Sequence, residues 1–319
     1  MRKTFWFLLI SVFTSLSINA QPSQPAYVDF QKEDGRVRVT VGDEYFGTYV
    51  YQHDKILRPY FCDLHAPGGI QVTRNHPPKE GIDRTDHATM HPGLWLAFGD
   101  ISDSDFWRNK ARVEHVRFVR EPKSNDPSEF RSGGFSVENR YVSEDGNEIC
   151  REICTMDIHL NLSGYVIHWR SHFHSEDNDF YFGDQEEMGL GVRVHTPMAA
   201  ANDGRILNSR GQKNEDEAWG KQADWCDYSG PVDGKWVGVT LIPAPSNFRK
   251  CWFHARDYGF VAANPFGRNA FTDGEKSKVT VEKGERFDLE YAVLIHSSDN
   301  KGDIDLSKVY SRIQNLFEE

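Results

Sequence analysis

Histidine, carboxylate and tryptophan side chains lie close together between residues 86 and 107 of this chain, in a stretch that also holds Pro92, Gly93 and Gly99. Imidazoles and carboxylates transfer protons or bind metals, and indoles offer flat stacking surfaces. This mixture predicts a pocket for a polar, ring-shaped ligand. From it we select His87 and His91 as acid–base residues, and Trp95, Asp100, Asp105 and Trp107 as substrate-binding residues.

The spacing of His87 and His91 would place both imidazoles on one face of a helix, as in zinc proteases. No glutamate follows the first histidine, and Pro92-Gly93 would end a helix at once. The protease interpretation therefore fails. A metal site on a loop, with Asp86 or His65 as a further ligand, stays open as an alternative.

The segment Glu187–His195 has the alternation of a β-strand. Leu190, Val192 and Val194 would face the core, and Glu187, Gly189, Gly191, Arg193 and His195 the other side. Glycine in a strand lets a ligand approach the backbone closely. We expect this face to form the floor of a groove, with Arg193 orienting the substrate and Glu187 and His195 as candidate catalytic groups.

Later segments add further candidates. Trp252, His254 and Arg256 share one face of a predicted strand, which suits stacking and hydrogen bonding to a sugar. We take His254 as a third acid–base residue and Asp227 as a carboxylate partner. The other binding candidates are Trp219, Tyr228, Trp252, Arg256 and Asn264, the last in a turn near the same end of the fold.

Acidic residues could include a glycosidase-type pair of carboxylates, drawn from Glu186-Glu187 and from Asp100, Asp103 and Asp105. Their separation in space does not follow from their spacing in sequence. The segment Gly164–His174 also has histidines on one face, and we interpret that face as the polar outer side of a sheet.

Most of the chain alternates polar and apolar residues with period two, as in Arg36–Val41 and Arg286–Val293. Asp145-Gly146 and Asp233-Gly234 lie between such runs and predict hairpins. We therefore expect an all-β fold, a two-sheet antiparallel β-sandwich of jelly-roll or supersandwich-like type. Long functional loops would run over 65–105 and 199–231.

One helix is predicted, at the C-terminus. Val309, Ile313, Leu316 and Phe317 would form an apolar stripe, and Asp303 or Asp305 would cap the first turn. We expect this helix to pack on the outside of a sheet.

Residues 1–20 resemble a secretory signal peptide, with a basic start, a short apolar run and small residues up to Ala20. We expect an exported, periplasmic or extracellular protein with a single domain over 21–319. The net charge of −11, without basic runs, argues against nucleic acid as a partner. The sequence offers no other apolar stretch long enough to span a membrane.

The five cysteines, Cys62, Cys150, Cys154, Cys226 and Cys251, are an odd number and form no CxxC motif. Cys150 and Cys154 lie too far apart along an extended strand for a disulfide. We expect no essential disulfide framework.

The run from His87 through His91-Pro92-Gly93-Leu94-Trp95 to Gly99-Asp100 and Asp105-Phe106-Trp107 resembles a bacterial domain family of unknown function. Its members often carry the label "methane oxygenase PmoA". Further matches, in the expected order, are Gly189–Val194, Trp219–Lys221, Trp225–Gly230 and Asn264–Gly267. The resemblance covers nearly all of the chain after residue 20.

Two positions depart from the family pattern. Met90-His91-Pro92 stands where His-His-Arg is common, so no arginine role transfers to that position, and Asp103 replaces a frequent glycine. Methane oxidation needs many membrane-spanning helices, and we exclude that activity because the sequence lacks them. The resemblance to proteins of polysaccharide-degrading bacteria favours carbohydrate chemistry.

We therefore expect a hydrolase or lyase acting on a glycoside, with a carbohydrate or another polar small molecule as its partner. Two other functions remain open, a non-catalytic carbohydrate-binding module and a metal-dependent sandwich enzyme. The sequence identifies no cofactor. The expectation requires the early histidine loop, the strand with glycines and the late Trp-His-Arg row to meet in one cleft.

Overall fold

The structure is a computed structural model, and it describes residues 27–124, 132–161 and 163–318. The predicted signal peptide, residues 1–20, lies outside the described residues. The first part of the chain forms β1 (Val28–Glu33), β2 (Arg36–Val41), β3 (Glu44–Val50), β4 (Tyr60–Cys62), β5 (His65–Ala66), β6 (Ile70–Gln71), β7 (Leu94–Phe98), β8 (Arg112–Ser124), β9 (Ser132–Val142), β10 (Glu148–Asn161) and β11 (Gly164–His174).

The rest of the chain forms β12 (Phe180–Phe182), β13 (Met188–Arg193), β14 (Arg205–Asn208), α1 (Asn214–Ala218), β15 (Lys221–Gln222), β16 (Cys226–Val232), β17 (Lys235–Pro243), β18 (Trp252–Arg256), β19 (Phe260–Asn264), α2 (Arg268–Thr272), β20 (Val279–Val281), β21 (Arg286–Ser298) and α3 (Leu306–Ile313). Short 3-10 helices span Thr196–Met198 and Gln314–Phe317.

Two antiparallel sheets make the fold. The nine-stranded sheet has the order β1-β2-β3-β4-β7-β13-β19-β18-β15, and the eight-stranded sheet has the order β14-β16-β17-β21-β11-β10-β9-β8. Their facing sides share one apolar core, in which ring pairs join the sheets. The Tyr49 and Phe135 rings lie 5.0 Å apart, and the Phe98 and Phe173 rings 5.6 Å apart, between centroids. The predicted β-sandwich is confirmed.

Strand periodicity predicted several elements correctly. The Arg36–Val41 run is β2, Gly164–His174 is β11, and the two Asp-Gly pairs connect β9 to β10 and β16 to β17. The side chains predicted to face inward from β13, Leu190 and Val192, lie in the shared core. Alternation works here because each strand has one core face.

The C-terminal helix is also confirmed. The side chain of Asp305 caps α3 by accepting a hydrogen bond from the backbone N–H of Lys308. Val309 and Ile313 pack against Leu294 and Trp225 on the outer face of the eight-stranded sheet. No helix in residues 27–124, 132–161 or 163–318 has the length and apolarity needed to cross a bilayer.

The predicted loops need correction. Residues 65–105 contain β7, a fully buried central strand that pairs with β13 and β4. The segment 199–231 contains β14, α1, β15 and the start of β16. These strands and the helix are short and lie among Pro, Gly and charged residues. Periodicity alone cannot distinguish such short elements from loops.

The second face of the nine-stranded sheet positions the site. On this face, side chains that point away from the shared core form a second apolar cluster. It includes Tyr60, Trp95, Phe260 and Ala262 from the strands, together with Trp107. The loops that follow β6 and β7 supply Trp107 and the histidines that meet this cluster. The five cysteines are all buried and unpaired.

Candidate functional site

A cavity of about 190 Å³ opens on the second face of the nine-stranded sheet. Residues from the three segments expected to converge reach it: the early histidine loop, Glu187 directly before β13, and β18. Its lining residues are His87, Met90, His91, Trp107, Arg108, Glu186, Glu187, His254, Arg256, Tyr258 and Phe260.

Stacked rings form the floor of the cavity. The imidazole of His91 stacks on Trp95 at 5.0 Å and on Phe260 at 4.6 Å between centroids, with planes 18° and 11° apart. His87 stacks on His91 at 4.9 Å. Burial, together with the nearby Arg193 guanidinium, holds the pKa of His91 well below its ordinary value. His91 is therefore a neutral imidazole at neutral pH.

Gly191 on β13 has a different role from the predicted one. A Cβ atom at Gly191 would lie 2.9 Å from an indole carbon of Trp95 and 3.2 Å from one of Trp107. The absent side chain thus makes room for two indoles, and these rings fill the predicted groove floor. Trp95 and Trp107 are 0% and 1% exposed, so they support the site from below and present no open stacking surface.

One wall of the cavity is an acid–base cluster on β18 and the turn before β13. His254 is 5% exposed, and its Nε2 lies 3.4 Å from Oε2 of Glu186. Burial and the Arg256 guanidinium lower the pKa of His254 to about 3. Burial raises the pKa of Glu186, and the neighbouring Glu187 adds to the effect while Arg256 opposes it. Glu186 thus keeps its proton to higher pH than an ordinary glutamate.

Another part of the lining is an ion-paired arginine. The guanidinium of Arg108 donates to Oε2 of Glu187 at 2.7 Å and to Oδ2 of Asp105 at 3.1 Å. Asp105 also accepts hydrogen bonds from the backbone N–H groups of Trp107 and Arg108. The predicted binding residue Asp105 therefore orders the turn that carries Arg108 and Trp107.

Buried arginines fix the histidine loop. The guanidinium of Arg74, 2% exposed, donates to the carbonyls of Arg84, Asp86, His87 and His91. Four bonds to one short segment hold both histidines in place.

The predicted Arg193 acts through Asp86. Its guanidinium donates to both carboxylate oxygens of Asp86, at 3.0 and 3.3 Å, and Asp86 contacts Nδ1 of His87 at 2.9 Å. Arg193 is 1% exposed and does not line the cavity. It positions the loop where substrate contact was expected.

Asn264 also acts indirectly. Its side-chain N–H groups donate to the carbonyls of Gln185 and Glu186, and its Oδ1 accepts from the backbone of Phe266 and Gly267. This fully buried amide holds the turn that carries the glutamates. It is 0% exposed and cannot touch a ligand.

Several predicted residues lie away from the cavity. Asp227 is buried on the eight-stranded sheet, where it accepts hydrogen bonds from Ser229, Thr240 and His296. The hydroxyl of Tyr228 bonds backbone groups between the sheets. Spacing in the sequence does not show that Tyr228 points into the core between the sheets or that Asp227 lies on a different sheet from the cavity.

Four further candidates are also outside the lining. His195 follows β13 at the end away from Glu187. Asp100 accepts from the backbone N–H of Asp103 in a turn. Trp252 stacks on Phe271, and Trp219 lies under the guanidinium of Arg256, 5.5 Å from ring centroid to Cζ. Trp219 and Trp252 therefore support the wall from behind.

Some lining residues were not selected from the sequence. Glu186 was considered only as part of an acidic pair, and Arg108, Tyr258, Phe260 and Met90 were not chosen. Arg108 directly follows Trp107, and Tyr258 closes the run Trp252–Tyr258, so both were adjacent to selected residues. Within 27–124, 132–161 and 163–318, no three His, Cys, Asp or Glu side chains are placed to share a metal ion.

Comparisons with known proteins give weak structural similarity. No curated protein matches the chain. A protein assigned as a kojibiose phosphorylase from the human microbiome is 8% identical with a TM-score of 0.34, and the match covers 92% of this chain and 32% of that one. The chain thus spans about a third of that protein's length.

Two shorter proteins match over their full length. A galactose mutarotase-like protein from Lactobacillus casei is 12% identical with a TM-score of 0.36, and the match covers 85% of this chain and 100% of that one. A galactose mutarotase related enzyme from Lactobacillus acidophilus is 12% identical with a TM-score of 0.30, covering 88% and 100%. The profile of a family described as "Family of unknown function (DUF6807)" matches residues 36–305, and the chain belongs to that family.

Proposed function

We propose that this protein is an exported carbohydrate-active enzyme, a hydrolase or lyase that acts on a glycoside in the cavity of the nine-stranded sheet. The proposal includes the signal peptide over residues 1–20 and a single domain over 21–319. One observation carries it: a carboxyl group with a raised pKa, Glu186, lies beside an ion-paired carboxylate, Glu187, in a ring-floored cavity.

Glu186 is the proton donor in this proposal. An acid catalyst must hold its proton near the working pH, and burial gives Glu186 that property. Neutral His254, 3.4 Å away, orients the carboxyl group. Glu187, held at 2.7 Å by Arg108, is the second member of the pair, which activates water or attacks the anomeric carbon.

A non-catalytic sugar-binding module is less well supported. Such a module presents aromatic faces to solvent and has no need for titratable groups with shifted pKa values. Here the indoles of Trp95 and Trp107 are buried, and the buried imidazoles of His91 and His254 have lowered pKa values. The buried polar groups favour catalysis over simple display of rings.

The test is a product screen with matched variants. Purified mature protein is incubated with a panel of polysaccharides, oligosaccharides and aryl glycosides, and new reducing ends or unsaturated sugars are measured. Glu186→Gln should lower turnover by about 10²–10⁴-fold. The control is Glu144→Gln, at an exposed position in the turn after β9, which should keep wild-type turnover.

Aryl glycosides with good leaving groups test whether Glu186 is the proton donor, because their glycosidic bond breaks without a proton donor. On those substrates, the reduction of turnover in Glu186→Gln should be smaller, whereas the reduction of turnover in Glu187→Gln should stay the same. A panel without any product, or a Glu186→Gln protein as active as Glu144→Gln, would refute the proposal.

A further inference from the structure

The charges that surround the cavity indicate which sugars it can accept. Arg108 lies between the carboxylates of Asp105 and Glu187, at 3.1 and 2.7 Å. Arg256 lies between those of Glu215 and Glu186, at 2.8 and 3.4 Å. Each lining guanidinium thus already has two carboxyl partners.

The exposed guanidinium of Arg84, 5.0 Å from the ring centroid of Tyr258, is paired with Asp86 at 3.5 Å, and three further guanidiniums nearby are out of reach of a ligand. Arg58, Arg74 and Arg193 are 3%, 2% and 1% exposed. Arg58 and Arg74 donate to backbone carbonyls, among them those of Trp107 and His91, and Arg193 donates to Asp86. An anionic ligand would therefore meet the lining carboxylates without a free cation to pair with.

The size of the cavity limits the ligand as well. Pockets for drug-sized ligands measure roughly 300–1,000 Å³. At about 190 Å³, this cavity is smaller than that range and suits one sugar ring. His87, Glu186 and Glu187 line it with groups that can hydrogen-bond hydroxyls, beside the aromatic floor.

We infer that the site binds one uncharged sugar unit at the end of a glycoside and that the reaction is hydrolysis, not elimination. This inference rests on the proposed function of the same cavity. Elimination from a sugar acid builds negative charge on the sugar carboxylate, which needs an unpaired positive partner. The lining arginines are already committed to carboxylates, so that partner is missing among the described lining residues.

Hydrolysis needs only groups that the cavity provides, and water. Glu186 gives its proton to the leaving oxygen as the bond from the anomeric carbon breaks. A water molecule then adds its hydroxyl to that carbon, directly or after attack by Glu187, and its other proton passes to Glu186, directly or by way of Glu187. Two sugars or a sugar and an alcohol result, and the enzyme recovers its starting protonation.

The test compares neutral sugars with their matched acids. Binding of glucose, galactose and xylose, and of glucuronate and galacturonate, is measured by calorimetry on the mature protein. At least one neutral sugar should bind ten-fold or more tightly than either acid. Glu187→Gln removes one carboxylate and leaves Arg108 with Asp105 as its one carboxylate partner, so it should improve acid binding relative to neutral sugars, whereas Glu144→Gln should not.

The outcomes separate this inference from the proposed function. Unsaturated products from uronate polymers would support a carbohydrate-active enzyme and overturn the neutral-sugar inference. Binding of a neutral monosaccharide without any turnover would support the neutral-sugar part of the inference and contradict both hydrolysis and the proposed enzyme. Acids that bind as tightly as neutral sugars, or failure of every monosaccharide to bind, would overturn the inference.

Discussion

The imidazole of His91 lies parallel to the phenyl ring of Phe260, with centroids 4.6 Å apart and planes 11° apart. A residue chosen from the sequence for proton transfer is thus also a packed aromatic ring. His91 is 5% exposed, and its Nδ1 has no hydrogen-bond partner. Any change at this position therefore alters the packing of the cavity floor together with its chemistry.

Two substitutions at His91 should separate packing from chemistry. His91→Ala removes a ring from a closed stack and should lower the free energy of unfolding by about 2–4 kcal/mol. His91→Phe keeps a ring and should leave the melting temperature close to that of the wild type while lowering activity. Equal melting temperatures for the alanine variant and the wild type would contradict the packing role.

Arg74 should matter for the histidine loop far more than its neighbour Arg84. Arg74→Lys loses several of four buried hydrogen bonds to carbonyls and should cost roughly 2–4 kcal/mol of unfolding free energy. Arg84→Lys is the matched control, since the Arg84 side chain is 62% exposed and its change should stay within about 0.5 kcal/mol. Denaturant unfolding measures both changes. Similar losses of unfolding free energy in the two variants would contradict the role of Arg74 in holding the histidine loop.

His254 should make the protein less stable in mild acid. In the unfolded chain the imidazole takes up a proton below pH 6.5, whereas in the folded protein its pKa is about 3. Stability is therefore lost as the pH falls from 6.5 towards 3, by roughly 2 kcal/mol between pH 7 and pH 5. His254→Gln should flatten this slope, and His174→Gln should not. Parallel slopes for wild type and His254→Gln would disprove the assignment.

Asp227 should contribute to stability and not to catalysis. It is fully buried, and although burial alone would raise its pKa, the imidazole of His296 and hydrogen bonds from Ser229 and Thr240 lower it. Asp227→Asn presents an N–H group to these donors and should lower the free energy of unfolding by about 2–4 kcal/mol. Asp233→Asn, in the exposed turn after β16, is the control. A loss of activity in folded Asp227→Asn protein, beyond the loss of stability, would contradict the structural role.

Periodicity predicted the sheets well because an antiparallel strand with one core face alternates visibly, as in β2 and β11. It failed for β7, where Leu94 to Phe98 are buried on both faces and follow a run rich in turn residues. The C-terminal helix was predicted because its stripe and its capping aspartate are local signals.

Predictions for the site depended on three distant segments meeting. Residues of the histidine loop and of β18 line one cavity, and from the strand with glycines only Glu187 reaches it. Individual roles were harder to predict. Gly191 accommodates indoles where space for a ligand was expected, and Asp227 faces away from the site. Arg108 and Phe260 were missed because a single sequence gives no sign of which neighbours of a selected residue turn toward the same space.

The ring-lined floor has an evolutionary consequence. Because His91, Trp95 and Phe260 belong to the apolar layer that also stabilises the sheet, mutations beneath the ligand carry a folding penalty. Met90 and Tyr258, which also line the cavity, are partly exposed and easier to exchange. Relatives that acquired new ligands would therefore differ mainly at these outer positions and share the rings below them.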